Sequence, residues 1–102
     1  VLFNLGRAHE KLDELDAAVS YYKQSAETNP AQFNALCNIG SILINQGQSA
    51  EALEYLLKAA EINPQDEVTM NNLFIAYDSL GQYTKAKEYW DKLKIINPAD
   101  WK

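Results

Sequence analysis

Residues 36–64 read LCNIGSILINQGQSAEALEYLLKAAEINP, and the Asn63-Pro64 pair that ends the stretch recurs as Asn29-Pro30 and Asn97-Pro98. Both intervals are 34 residues (29 to 63, 63 to 97). A fixed period of that length marks a stack of one supersecondary unit, each copy burying its apolar face against the next. Within the stretch, Leu36, Ile39, Gly40 and Leu43 fall at i, i+3, i+4 and i+7, one face of a helix; a second stripe of Ala52, Leu56, Ala59 and Ala60 follows Gly47.

The neighbouring rows repeat the pattern at the same offset. Ala18, Ala52 and Ala86 coincide; Tyr22, Leu56 and Trp90 form one bulky column, and Ser25, Ala59 and Leu93 another. Leu5, Ile39 and Leu73 align and are followed by Gly6, Gly40 and Phe74, while Met70, Leu73, Phe74, Tyr77 and Leu80 carry the first-helix stripe in the third row. The spacing predicts helix pairs over 1–12 with 15–28, 33–46 with 49–62, and 67–80 with 83–96. Gly47 and Gly81 suit the left-handed residue that closes a helix, and Asp13 takes their place in the first row. The Asn-Pro pairs are read as helix starts: Asn is a candidate N-cap, Pro fits a first turn, and Gln32 and Asp66 three residues on can extend the cap.

Bulk properties narrow the class of work. The 102 residues hold nine Lys and Arg against fourteen Asp and Glu, a formal net charge of -5. That balance argues against nucleic acid, whose phosphates need clustered cations. No 18-residue apolar run predicts a membrane span. One cysteine, Cys37, excludes an internal disulfide, and with a single His9 there is no zinc-binding set. His9 falls on the apolar stripe of the first helix, aligned with Leu43 and Tyr77, and reads as a core position. The serines lack a nucleophile motif, and the four glycines stand singly, so no phosphate loop is present. The reading therefore assigns no catalytic, cofactor or metal residues.

The aligned residues resemble the tetratricopeptide repeat, a 34-residue helix-turn-helix unit: the Leu-Gly or Ile-Gly of the first helix, the Gly between helices, the Ala and bulky residue of the second helix, and the terminal Pro. The resemblance covers almost the whole chain. It implies an all-α, right-handed solenoid of antiparallel helix pairs, about three repeats, in one domain over 1–102. The repeats fall at approximately 1–32, 33–66 and 67–100, with 101–102 starting a truncated further element. Phe74 departs from the family's small residue at close helix contact and puts the packing of the third pair in question. The chain enters a helix already under way and ends on an opened one, so it reads as a fragment with apolar surface at both cut ends.

Asn4, Asn38 and Asn72 are again 34 apart, an identical mid-helix choice that helix propensity does not explain. They are placed opposite the apolar stripe, where the second row adds Asn34, Ser41 and Asn45. Phe3, Arg7 and Lys11 flank this face on one side, and Val68, Asn71, Ile75 and Ser79 on the other, beside Asn72. An amide offers both donors and an acceptor, so such a ladder can pair with an extended backbone; the same asparagines can equally bridge neighbouring helices. In the family the first helices line a concave groove that contacts peptide, so the resemblance implies a protein or peptide partner. The family's clamp for acidic chaperone tails (Lys, Asn, Asn, Lys, Arg) is matched only by Asn38. Phe3, Val68 and Asn72 replace its cations, and Arg7 replaces an Asn. The expected function is a non-catalytic binding module. The alternatives are self-association through exposed end repeats, giving a homo-oligomer, or a segment of a larger enzyme such as a transferase.

Overall fold

The computed structural model describes residues 2–28 and 32–96. Six helices follow one another: α1 (Leu2–Lys11), α2 (Leu15–Thr28), α3 (Phe33–Asn45), α4 (Ser49–Ile62), α5 (Glu67–Ser79) and α6 (Tyr83–Ile96). Among the described residues there is no strand, and no helix is long and apolar enough to cross a membrane. The 34-residue reading places every helix to within a residue or two. Each odd-numbered helix pairs with the helix after it, and α2 packs on α3 as α4 packs on α5. The architecture is a helical-repeat solenoid with one core running along it, from Ala18 and Tyr22 through Ile39, Leu56 and Leu73 to Leu93.

The turns inside the pairs are three copies of one motif. Gly47 and Gly81 have φ of 77° and 76°, and Asp13 adopts the same left-handed conformation at 61°. After α3, Gln48 N donates to Leu43 O (2.8 Å) and Gly47 N to Ile44 O (3.1 Å). This is the paired closure that satisfies the last carbonyls of a helix. Gln82 with Tyr77 and Gly81 with Asp78 repeat it after α5, as do Glu14 with His9 and Asp13 with Glu10 after α1. No Cβ would touch anything at Gly47 or Gly81, so the backbone conformation alone selects glycine there.

Asn63-Pro64 follows the end of α4, but its asparagine is not the N-cap of α5 that the sequence suggests. Asn63 closes α4 rather than opening α5. It is the first residue of a turn in which Asp66 N donates to its carbonyl (3.4 Å) and Gln65 N to its side chain (3.3 Å). Pro64 occupies the second position, where its fixed φ suits the turn. The N-cap of α5 is Asp66, whose Oδ2 accepts from Thr69 N (2.9 Å) and Thr69 Oγ1 (2.8 Å). Gln32 stands at the corresponding place before α3 without a side-chain cap bond, its Oε1 accepting from Ser25 Oγ instead. Asn29-Pro30 and Asn97-Pro98, and with them the start of a further element at 101–102, lie outside the described residues.

Helix contact inside the pairs depends on what each row places beside the bulky column. A Cβ on Gly6 would come within 2.6 Å of the Tyr22 ring, and one on Gly40 within 2.7 Å of Leu56 Cγ. Phe74 cannot make that approach. It packs instead on Trp90, ring centroids 5.2 Å apart and tilted by 45°, so the third pair has an aromatic contact where the other two have a glycine.

A candidate peptide-binding cleft on the first helices

Because Gly6 has no side chain, the Tyr22 ring slides beneath α1, packs against Phe3 with centroids 5.4 Å apart and the rings tilted by 49°, and is fully buried. Its hydroxyl emerges between α1 and α3 and donates to Glu10 Oε1 at 2.7 Å; the Asn38 amide reaches the same hydroxyl. Burial, reinforced by Glu10, pushes the Tyr22 pKa up to about 12, so the proton stays on the phenol at neutral pH. Above this floor opens a cleft of about 420 Å³ lined by Arg7, Glu10, Lys11, Tyr22 and Asn38. Arg7 and Lys11 are exposed, one turn apart, and make no ion pair among the described residues. The cleft thus offers two solvated cations, one carboxylate already bonded to tyrosine, and an amide.

Of the residues singled out from sequence, the fold gathers Arg7, Lys11 and Asn38 into this cleft, with Asn4 exposed on the same helix as Arg7. Ser41 and Asn72 meet farther along: Asn72 Nδ2 donates to Ser41 Oγ at 3.0 Å, and Asn72 is only 9 % exposed. The sequence reading put Asn72 on a solvated face; it lies instead where α3 and α5 touch, and bridges them. Asn34, Asn45 and Asn71 are exposed, and Ile75 is half-buried. The ladder is therefore graded, from solvent at Asn4, through half-burial at Asn38, to a bonded position at Asn72.

Glu10 and the Tyr22 hydroxyl complete the cleft and were not singled out from sequence. Glu10 was legible, since 7, 10 and 11 share one helix face. The Tyr22 hydroxyl was hidden behind its role in the bulky column. His9 stacks on Tyr21 (centroids 5.1 Å, 9°), its Nδ1 3.5 Å from Glu14 Oε1. Cys37 is half-buried beside Thr69 Oγ1 at 3.3 Å, and burial raises its pKa. Among the described residues, no group of His, Cys, Asp and Glu is arranged to hold a metal ion.

Stacked helix pairs with a polar cleft on the first helices define a repeat scaffold of the protein-interaction class. Two models described as tetratricopeptide repeat match the chain, one over residues 3–67 and one over 55–88. The chain belongs to the tetratricopeptide repeat family. No curated protein sequence matches it. Among solved structures, the tetratricopeptide domain of Arabidopsis OM64 superposes with a TM-score of 0.87 at 19 % identity, over 96 % of this chain and 81 % of that one. The first tetratricopeptide domain of Spaghetti (RPAP3), bound to an HSP90 peptide, gives 0.89 at 18 % identity, over 98 % and 79 %. MamA AMB-1 gives 0.90 at 23 % identity over 96 % of this chain, which spans about half (54 %) of that protein. At these identities the likeness is one of fold.

Proposed function

We propose that the protein is a non-catalytic module that holds an extended segment of another protein along α1, α3 and α5, anchored in the cleft between Arg7 and Asn38. One observation carries the reading: Arg7 and Lys11 stand unpaired beside an amide and a fixed phenol, in an open cleft of about 420 Å³. Cations left in solvent beside a preformed concavity favour a carbonyl- or carboxylate-bearing ligand, and the amide can pair with its backbone. Asn4, Asn34, Asn45, Asn71 and Ile75 extend the contact surface, while Ser41 and Asn72 act on it by fixing α3 against α5. A net charge of -5 supports a protein rather than a nucleic-acid ligand.

The Spaghetti domain holds an HSP90 peptide on the same fold. That ligand does not transfer in detail: Phe3 is half-buried against Tyr22, Val68 is exposed, and Asn72 is engaged, where an acidic-tail clamp needs cations. The favoured ligand is an internal segment with one acidic or carbonyl-rich point.

The test is selection of 12-residue peptides from a random display library, followed by calorimetric titration of the winners. Arg7→Ala and Asn38→Ala should each weaken binding by about 5- to 100-fold, the equivalent of roughly 1 to 3 kcal/mol, with helical circular dichroism unchanged. Peptides that bind both variants as tightly as the parent would place the ligand elsewhere and remove the proposal.

A further inference from the structure

Residues 34 apart hold the same place in successive repeats, so α1, α3 and α5 can be compared position by position. Arg7, Ser41 and Ile75 form one such column, Lys11, Asn45 and Ser79 a second, and Glu10, Ile44 and Asp78 a third; Asn34 is answered by Val68. The columns change character in one direction. α1 carries Arg7 and Lys11, with Glu10 bonded to Tyr22; α3 has no charged residue; α5 has Glu67 and Asp78 and no cation.

These positions lie on one strip. Arg7 and Asn38 line the cleft, and Ser41 follows Asn38 by one helical turn. Ser41 Oγ accepts from Asn72 Nδ2 at 3.0 Å, and Ile75 follows Asn72 by another turn. Val68 precedes Asn72 by four residues, on the same face of α5. Val68 is 59 % exposed, and Ile75, half-buried, stands outside the hydrophobic core. The packing of this chain therefore does not account for apolar residues where the first repeat has a cation and the second an amide and a hydroxyl.

We propose that the segment held in the cleft is gripped at two points of opposite chemistry: an acidic side chain at Arg7 and Lys11, and an apolar side chain over Val68 and Ile75. The inference rests on the cleft reading above and names its ligand more closely. Packed helices stand about 8 to 10 Å apart, which sets α5 roughly 16 to 20 Å from α1 across α3. An extended backbone rises about 3.3 Å per residue, so the two points are about five or six residues apart in the ligand. Both charges of α5 are negative, so its end of the strip repels an acid and has no cation to hold one. The polarity of the strip thus orients the ligand and disfavours segments acidic throughout.

The test is a display library of 12-residue peptides in which one Asp and one Leu are fixed at separations from two to nine residues, in both orders, among Ser, Gly, Asn, Gln and Thr. Selection should enrich separations of about five or six. Replacing the leucine of a selected peptide by serine should weaken binding by about five- to thirtyfold, and by glutamate more. Val68→Ser, at an exposed position, should reduce this dependence on leucine, and Val68→Ser with Ile75→Ser should remove it while the dependence on aspartate stays. Arg7→Ala should do the reverse, and Ile75→Arg should turn the preference at the second point from leucine to aspartate. Helical circular dichroism should be unchanged throughout. Peptides that need Arg7 and Asn38 yet bind alike at every separation, or lose nothing when leucine becomes serine, would overturn the two-point ligand and leave the cleft standing. An empty selection, or peptides indifferent to Arg7 and Asn38, would remove both.

Discussion

Gly40 sits against Leu56, which is wholly buried, and a Cβ there would run into the Leu56 side chain. Adding one methyl in Gly40→Ala should destabilise the protein by about 1 to 3 kcal/mol in urea unfolding, because overpacking a filled contact forces neighbours off their rotamers. Leu56→Ala in the same chain should recover part of that loss, so the double mutant is less unstable than the two single effects summed; strict additivity would show that the contact is not the cause. Tyr22 yields a second residue-scale expectation. Its folded pKa of about 12 exceeds the ordinary 10.0, so its contribution is fully present below pH 10 and is lost as pH rises toward 12. Stability should fall over that interval by about 2 to 3 kcal/mol, with Tyr89, also raised by burial, sharing in the loss. In Tyr22→Phe the fall should shrink; an unchanged pH slope would count against the buried phenol. The repeat alignment made both columns legible, but not the Tyr22 hydroxyl bond. Its partner Glu10 lies on another helix, brought close by an approach that only Gly6 permits.

At the scale of single elements, helix interiors were readable because apolar residues recur at 3.6-residue spacing, and helix ends because Gly47, Gly81 and Asp13 each take one left-handed residue. The caps were less so. Asn63 and Asp66 are both good capping residues, three apart, and sequence alone does not say which faces the free N-H groups of α5. The turn decides it, since Asn63 is spent on Gln65 N while Asp66 takes both donors of Thr69. Asp66→Ala should therefore cost about 1 to 2 kcal/mol, near the top of the range for caps, because it also takes away the carboxylate acceptor of the buried Thr69 hydroxyl and leaves it only the Cys37 thiol. Asn63→Ala should cost less than about 0.5 kcal/mol. Equal losses in thermal denaturation would return the capping role to the Asn-Pro pair. Asn72 shows the same limit of sequence reading at a candidate site position: its 34-residue recurrence was visible, its bond to Ser41 across α3 and α5 was not.

For the molecule as a whole, the period foretold the stack of pairs, and what it left open was the unequal covering of those pairs. α3 buries Ala35, Leu36, Ile39, Gly40, Ile42 and Leu43, whereas α1, with a repeat on one side only, buries Gly6 alone. In a solenoid each unit is held by its neighbours, so a helix covered on one side should open more often than one covered on both. Native-state hydrogen exchange should show this as a gradient: amides in α3, α4 and α5 exchanging roughly ten- to a hundredfold more slowly than those of α1, with α6 between because Ala86 and Leu93 still anchor it. The gradient has a bearing on binding. Arg7 and Lys11 stand on the least protected helix and Asn38 on the best protected, so a peptide spanning both should slow exchange in α1 far more than in α3. Uniform protection across all six helices in the free protein would mean that the seams couple the pairs into one cooperative unit, and that the cleft is rigid before any ligand arrives.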